Sequence, residues 1–168
     1  MKKLIRKSLS FLVYAFGLRG RVRDFIMWPL ASRLLGVKYT EVITLKNGVE
    51  FCADMSDIVG RMILFYGEHV EYAWEPATTQ LVERLSREAR VSILAGSHIG
   101  YTVVHALAAK KQDAHVYAFE PVNYLYELSR KNIALQNTFQ SSGGATLEKK
   151  ALGERTGVAE IAPAAESM

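Results

Sequence analysis

Apolar positions in the first 36 residues recur at helical spacing. Leu4, Ile5, Leu9, Leu12 and Phe16 fall on one face, and Lys3, Lys7, Ser10 and Tyr14 lie away from it, which predicts an amphipathic helix. A second helical stretch, Phe25 to Leu35, ends at Gly36, a residue suited to a helix stop. The period then changes. Glu41 to Lys46 alternates and is β-branched, Asn47-Gly48 follows, and Val49 to Ala53 completes a hairpin signature. Asp54 to Asp57 reads as a turn, and Ile58 to Tyr66 as a short helix stopped by Gly67. Glu75-Pro76 opens a helix through about Glu88, with Leu81, Val82 and Leu85 expected inward.

From Val91 onward, strand and helix patterns alternate. The apolar run Val91 to Ala95 predicts a strand buried on both faces. A turn at Gly96 to Gly100 leads into a helix over Tyr101 to Lys110. His115 to Glu120 is a second strand, broken by Pro121, and Tyr124 to about Leu135 is a second helix. After a polar connection at Gln140 to Gly144, Ala145 to Leu152 reads as a third strand and Gly153 to Gly157 as a turn. Val158 to Ile161 is expected to add a small strand. This order predicts an α/β fold with parallel strands and right-handed crossovers, preceded by helices and a hairpin. Three regions follow: a helical extension at 1–36, a hairpin and helices at 37–90, and the α/β region at 91–168.

Composition supports a folded chain, with 168 residues, 49% hydrophobic and 23% charged. Charge alters the picture more. Residues 1–36 hold eight Lys and Arg against one acid, a net +7, whereas the rest holds thirteen against sixteen, a net −3. Such a basic segment fits anionic lipid or an acidic partner. Nucleic acid is excluded as a partner because no nucleic-acid motif accompanies the charge. The segment is not read as a secretory signal, since Arg19, Arg21 and Arg23 follow the apolar run instead of a cleavage site. That run is also far short of the roughly 20 apolar residues that span a bilayer. Two roles stay open: a helix packed on its own domain, or residues 1–23 lying on an anionic membrane surface. The expected location is cytoplasmic, with peripheral membrane contact following from the second role.

Cys52 is the only cysteine. It forms no intrachain disulfide, suits a reducing compartment and reads as a core residue. His69, His105 and His115 show no metal-ligand spacing, so no metal site is expected. No catalytic residue is assigned from the sequence.

The stretch Ile93-Leu94-Ala95-Gly96-Ser97-His98-Ile99-Gly100-Tyr101-Thr102 carries the chemistry. A strand-to-helix turn exposes helix N–H groups to an anionic or polar ligand, and glycine lets the ligand approach the backbone. Glu120 lies twenty residues past Gly100 at the end of the next strand, where an acid accepts hydrogen bonds from ribose hydroxyls.

The run from Met55 to Gly157 resembles the FkbM-type S-adenosylmethionine-dependent methyltransferases. The matching pieces are Tyr66-Gly67, Trp74-Glu75-Pro76, Gly96-Ser97-His98-Ile99-Gly100-Tyr101 and Ala118-Phe119-Glu120-Pro121, followed by Leu128 with Asn132 and by Ala151-Leu152-Gly153. The resemblance implies a Rossmann-like class I methyltransferase sheet and methylation of a hydroxyl on a sugar or secondary metabolite. It implies S-adenosylmethionine contacts at Gly96, Ser97, His98 and Gly100, at Glu120 for the ribose, and at Ala151 near the adenine. This sequence departs from the family at two loop positions. Leu94 stands where the family has an acid, and His98 where it has Asn. Losing a hydrogen bond to a charged group costs on the order of 1.5–3 kcal/mol, so Leu94 implies weakened cofactor binding. His98 is expected to cap the following helix. The family also continues into further strands, so the sheet is expected to be incomplete, with about the first three parallel strands. A free apolar strand edge, open to self-association, follows from that.

Three functions remain in play: a methyltransferase with a small hydroxyl acceptor, inactive as this chain if the truncation is real; a non-catalytic remnant or binding module for a membrane or partner; and a nicotinamide-dependent oxidoreductase. The last would require Gly-x-Gly-x-x-Gly, which Ala95-Gly96-Ser97-His98-Ile99-Gly100 does not match, its first glycine being absent.

Overall fold

The computed structural model describes residues 1–17, 22–67, 74–136, 144–158 and 160–161. The chain divides into two compact units, Met1–Arg84 and Leu85–Met168.

The first unit opens with helix α1 (Lys2–Ala15). A π-helical stretch, Arg23–Met27, runs directly into α2 (Trp28–Leu35), and Gly36 ends that helix at φ 95°. Strands β1 (Thr40–Thr44) and β2 (Glu50–Asp54) pair antiparallel, with Thr44 opposite Glu50. The Asn-Gly signal holds, in the three-residue form of the hairpin. Leu45 N–H donates to Val49 O, Gly48 N–H to Leu45 O, and Gly48 takes φ 81°, a type I turn followed by a left-handed glycine. Helix α3 (Ile58–Tyr66) is capped by Asp57, whose carboxylate accepts from Gly60 N–H at 2.9 Å. A Cβ on Gly60 would overlap the Asp54 backbone, so glycine there allows α3 to close on β2.

Helix α1 packs on α2 and α3 through Leu9 and Val13, both buried. The inward face is therefore rotated from the expected one: Leu4, Leu12 and Phe16 are exposed. Ser10, expected outward, donates to Leu64 O at 3.2 Å. The rotation follows from Arg6, which reaches inward to a buried carboxylate. Its guanidinium donates to Glu41 Oε2 at 2.6 Å and Oε1 at 3.2 Å, and to Leu64 O at 2.8 Å. Tyr39 Oη donates to Glu41 at 2.6 Å, and Lys3 Nζ lies 3.6 Å away. Burial raises the pKa of Glu41, but the bonds from Arg6 and Tyr39 and the nearby cations outweigh it and leave the carboxyl below its ordinary value. Burial and the Glu41 bond push the Tyr39 hydroxyl up to about 12. On α2, Trp28 packs against the rings of Phe65 and Tyr66, at centroid distances of 5.3 and 6.3 Å.

Helix α4 (Pro76–Glu88) follows. Leu81 and Leu85, expected inward, are 54% and 59% exposed, and Thr79 and Ser86 are buried instead.

In the second unit, β3 (Val91–Ala95), β4 (His115–Phe119) and β5 (Ala145–Glu148) form a parallel sheet in the order β3-β4-β5. Helices α5 (Tyr101–Ala109) and α6 (Asn123–Ala134) make the crossovers. The chain is thus α/β, with a three-stranded parallel sheet compatible with part of a Rossmann-like fold. With strands in consecutive order, crossovers of one hand place both helices on one face. There Val116 and Ala118 are fully buried. The other face is open: Val91 is 54%, Ile93 64% and Tyr117 39% exposed. The expectation that β3 is buried on both faces is therefore corrected. The third strand ends at Glu148 rather than Leu152, and residues 158, 160 and 161 form no strand. Of the expected connection Gln140 to Gly144, only Gly144 lies within the described residues.

Replacing Glu41 by Ala leaves the part-buried Arg6 guanidinium with the Leu64 carbonyl but no carboxylate, a loss of up to about 3 kcal/mol, read by chemical denaturation. The Glu41 contribution is complete above the ordinary carboxylate pKa and is lost as pH falls through its depressed value. The Tyr39 contribution is present below pH 10 and is lost as pH rises through about 12. A stability profile in which E41A shows the same acid limb as the wild type would remove this assignment.

Candidate functional site

The site is built where β3 hands over to α5, beside the end of β4. Three positions in the loop take left-handed backbone: Gly96 at φ 72°, His98 at 52° and Gly100 at 86°. His98 is the costly one, since a residue with a Cβ loses about 1–2 kcal/mol in this region. The loop wraps the end of β4. The N–H groups of Gly96 and Ser97 both donate to Phe119 O at 2.9 Å. His98 N–H donates to Glu120 Oε2 at 2.8 Å, and Val122 N–H donates to Glu120 Oε1 at 2.9 Å. Gly100 N–H turns back to Ser97 O at 2.8 Å.

Glu120, expected from the sequence to meet ribose hydroxyls, is brought to the loop, where its carboxylate accepts from main-chain N–H groups. It is 4% exposed and braces the loop to the turn after β4. Each carboxylate oxygen carries two lone pairs, so one acceptor position per oxygen remains. The four bonded N–H groups at Gly96, Ser97, His98 and Gly100 are engaged within the chain, so their capacity to cradle a ligand is smaller than an open loop would offer.

From the far side, α6 holds the loop. Asn132, fully buried, donates from Nδ2 to Ile99 O at 2.8 Å, and Gln136 Nε2 donates to Asn132 O at 2.9 Å. A Cβ on Gly100 would lie 2.8 Å from Ser129 Oγ and 3.1 Å from Ser129 Cα. Glycine at 100 thus serves close packing of α6 as well as backbone freedom. Gly96 differs, because no atom lies within 4 Å of its Cβ position. The hydroxyls of Ser97 and Ser129 are buried without a hydrogen-bond partner. Ser129 was not singled out from the sequence. Its signal is the i, i+3 spacing with Asn132, which puts both on one face of α6.

His98 does not cap α5. The N-cap position is Gly100, and no side chain caps it. The His98 side chain lies two residues too early, and its main-chain N–H is held by Glu120. Leu94 is half-buried and opposite Ala118, on the sheet face covered by the helices. Ala151 is exposed, past the end of β5. The other chemically capable residues have structural places. Cys52 is buried in β2, His105 lies edge-on to Tyr101 at 4.6 Å, and His115 Nε2 bonds Thr146 Oγ1 at 2.9 Å. His69 is outside the described residues. Among the described residues, no group of three His, Cys, Asp or Glu side chains is arranged to hold a metal ion. No family model matches the chain, and no curated protein or solved structure matches it.

Gly100→Ala combines about 1–2 kcal/mol of left-handed strain with about 1–3 kcal/mol of overpacking against Ser129, so its melting temperature falls. Gly96→Ala meets only the strain. Equal losses in the two variants would rule out the close approach of α6.

Proposed function

We propose that the second unit is the cofactor-binding part of a class I S-adenosylmethionine-dependent methyltransferase acting on a hydroxyl of a small molecule, a sugar or secondary metabolite. One observation carries this reading: the Glu120 carboxylate, at the end of the second parallel strand, is bonded to the glycine loop at the end of the first. That juxtaposition of acid and loop at the carboxyl ends of parallel strands is where nucleoside cofactors bind in sheets of this type. The residues fit the group in part. Glu120 keeps acceptor positions for ribose hydroxyls, the Ser97 hydroxyl is buried without a partner, and the space above Gly96 is open. Ala151 is assigned to the adenine end by the family resemblance alone. When bound, the cofactor supplies an electrophilic methyl group. The part of this chain is to hold and orient it, with Leu94 offering no acceptor for the amino group of its methionine portion.

A second reading, a non-catalytic binding module, is favoured by the engaged loop N–H groups and by the open sheet face with β3 at its edge. Such an edge invites pairing with a second copy. Titration calorimetry with S-adenosylhomocysteine and with NAD separates the possibilities. Binding of the homocysteine compound, weakened in Glu120→Gln, is the expected outcome. Leu94→Asp restores the missing acceptor and tightens binding about ten- to hundredfold. Selective binding of NAD would favour an oxidoreductase. Absence of both, unchanged in L94D, would favour the non-catalytic module.

A further inference from the structure

The first unit leaves an unusual amount of apolar surface uncovered, and it is ordered by helical spacing. On α1, Leu4 and Phe11 are each 70% exposed and stand seven residues apart, on the side opposite buried Leu9 and Val13. On the neighbouring helix, Ile26, Leu30 and Leu34 stand four apart and are 62%, 43% and 44% exposed, with Phe25 beside them at 75%. The buried residues of that helix, Met27, Trp28, Ala31 and Leu35, form its other side. Each helix thus carries two apolar stripes, one inward and one outward. The helices pack on each other and on α3, and Lys2 Nζ lies 3.8 Å from the Cβ position at Gly36. They therefore run antiparallel, with the start of one beside the end of the other.

Charge selects the occupant. The segment bearing both stripes carries the net +7 within residues 1–36, while the remainder of the chain is net −3. Lys2, Lys7 and Arg33 are exposed along the same two helices. No helix among the described residues is long and apolar enough to cross a membrane. Apolar stripes about 10–14 Å long, at 1.5 Å per residue, flanked by cations, match the requirements of helices lying in the plane of an anionic bilayer surface. We infer that α1 and the Arg23–Leu35 helix together form a two-helix surface that seats on anionic lipid through Leu4, Phe11, Phe25, Ile26, Leu30 and Leu34. This surface differs from the α1 face expected from the sequence, of which Leu9 is buried and Leu4 alone is shared with it, and it is independent of the cofactor reading.

The test is sedimentation of the full chain with phosphatidylcholine vesicles, with and without phosphatidylserine. The expected result is binding to the anionic vesicles only, released as salt shortens the screening length from about 10 Å at 0.1 M to about 3 Å at 1 M. The double variant Phe25→Gln/Ile26→Gln, at the two most exposed of the outward positions on that helix, weakens that binding by about tenfold or more. The buried Trp28 reports through its fluorescence that this variant is folded. Three results overturn the inference: no binding to anionic vesicles, unchanged binding by the folded F25Q/I26Q variant, or a lipid-free dimer that the same variant dissolves, which would assign the surface to a second copy of the chain.

Discussion

The carboxylate of Glu120 receives hydrogen bonds from two backbone N–H groups, one in the β3–α5 loop and one in the turn after β4. The rest of the second unit's site depends on that bridge. Without it the His98 N–H, in a left-handed segment of loop, would have no acceptor in a largely buried position. A charge this deep is tolerable only when its oxygens are bonded, and here the donors are main-chain groups that no substitution in the loop removes except by proline. The loop is then closed from behind by Asn132 on Ile99 O and by the tight seat of Gly100 on Ser129. Three elements of unrelated local pattern, a strand end, a glycine turn and a helix face, are thereby fixed relative to one another.

A second buried carboxylate organises the first unit. Glu41 sits on the inward side of a short strand, and its partners come from α1 and from the residue before the strand. Because Arg6 must face it, α1 is turned so that Leu9 and Val13 go inward while Leu4 and Phe11 go outward. An ion pair thus decides which of two apolar stripes becomes core. The stripe left outside, together with that of the following helix, is the surface proposed to meet an anionic bilayer. The two carboxylates do comparable work at different scales: one sets the rotation of a helix, the other the path of a loop.

The open face of the parallel sheet belongs to the same physical picture. Consecutive crossovers of one hand can cover only one side of three strands. Val91, Ile93 and Tyr117 are consequently exposed although their sequence is that of a core strand. An apolar run reports what a strand is suited to bury, not whether a partner layer is present to bury it.

By itself the sequence determined the elements and their order. The hairpin at Asn47-Gly48, the helix stops at Gly36 and Gly67, the strand–glycine–helix unit at Val91 to Ala109 and the place of Glu120 at the end of the second parallel strand all follow from local rules of backbone freedom, periodicity and spacing. Tertiary structure alone decided which faces are covered. It turned α1 toward Glu41, left Leu81 and Leu85 outside, removed His98 from the capping role and gave Ser129 and Asn132 their hold on the loop. Periodicity specifies that a face is apolar. Which of two apolar faces is buried, and which polar group is allowed beneath it, depends on partners distant in the chain, as with Arg6 and Glu41, 35 residues apart.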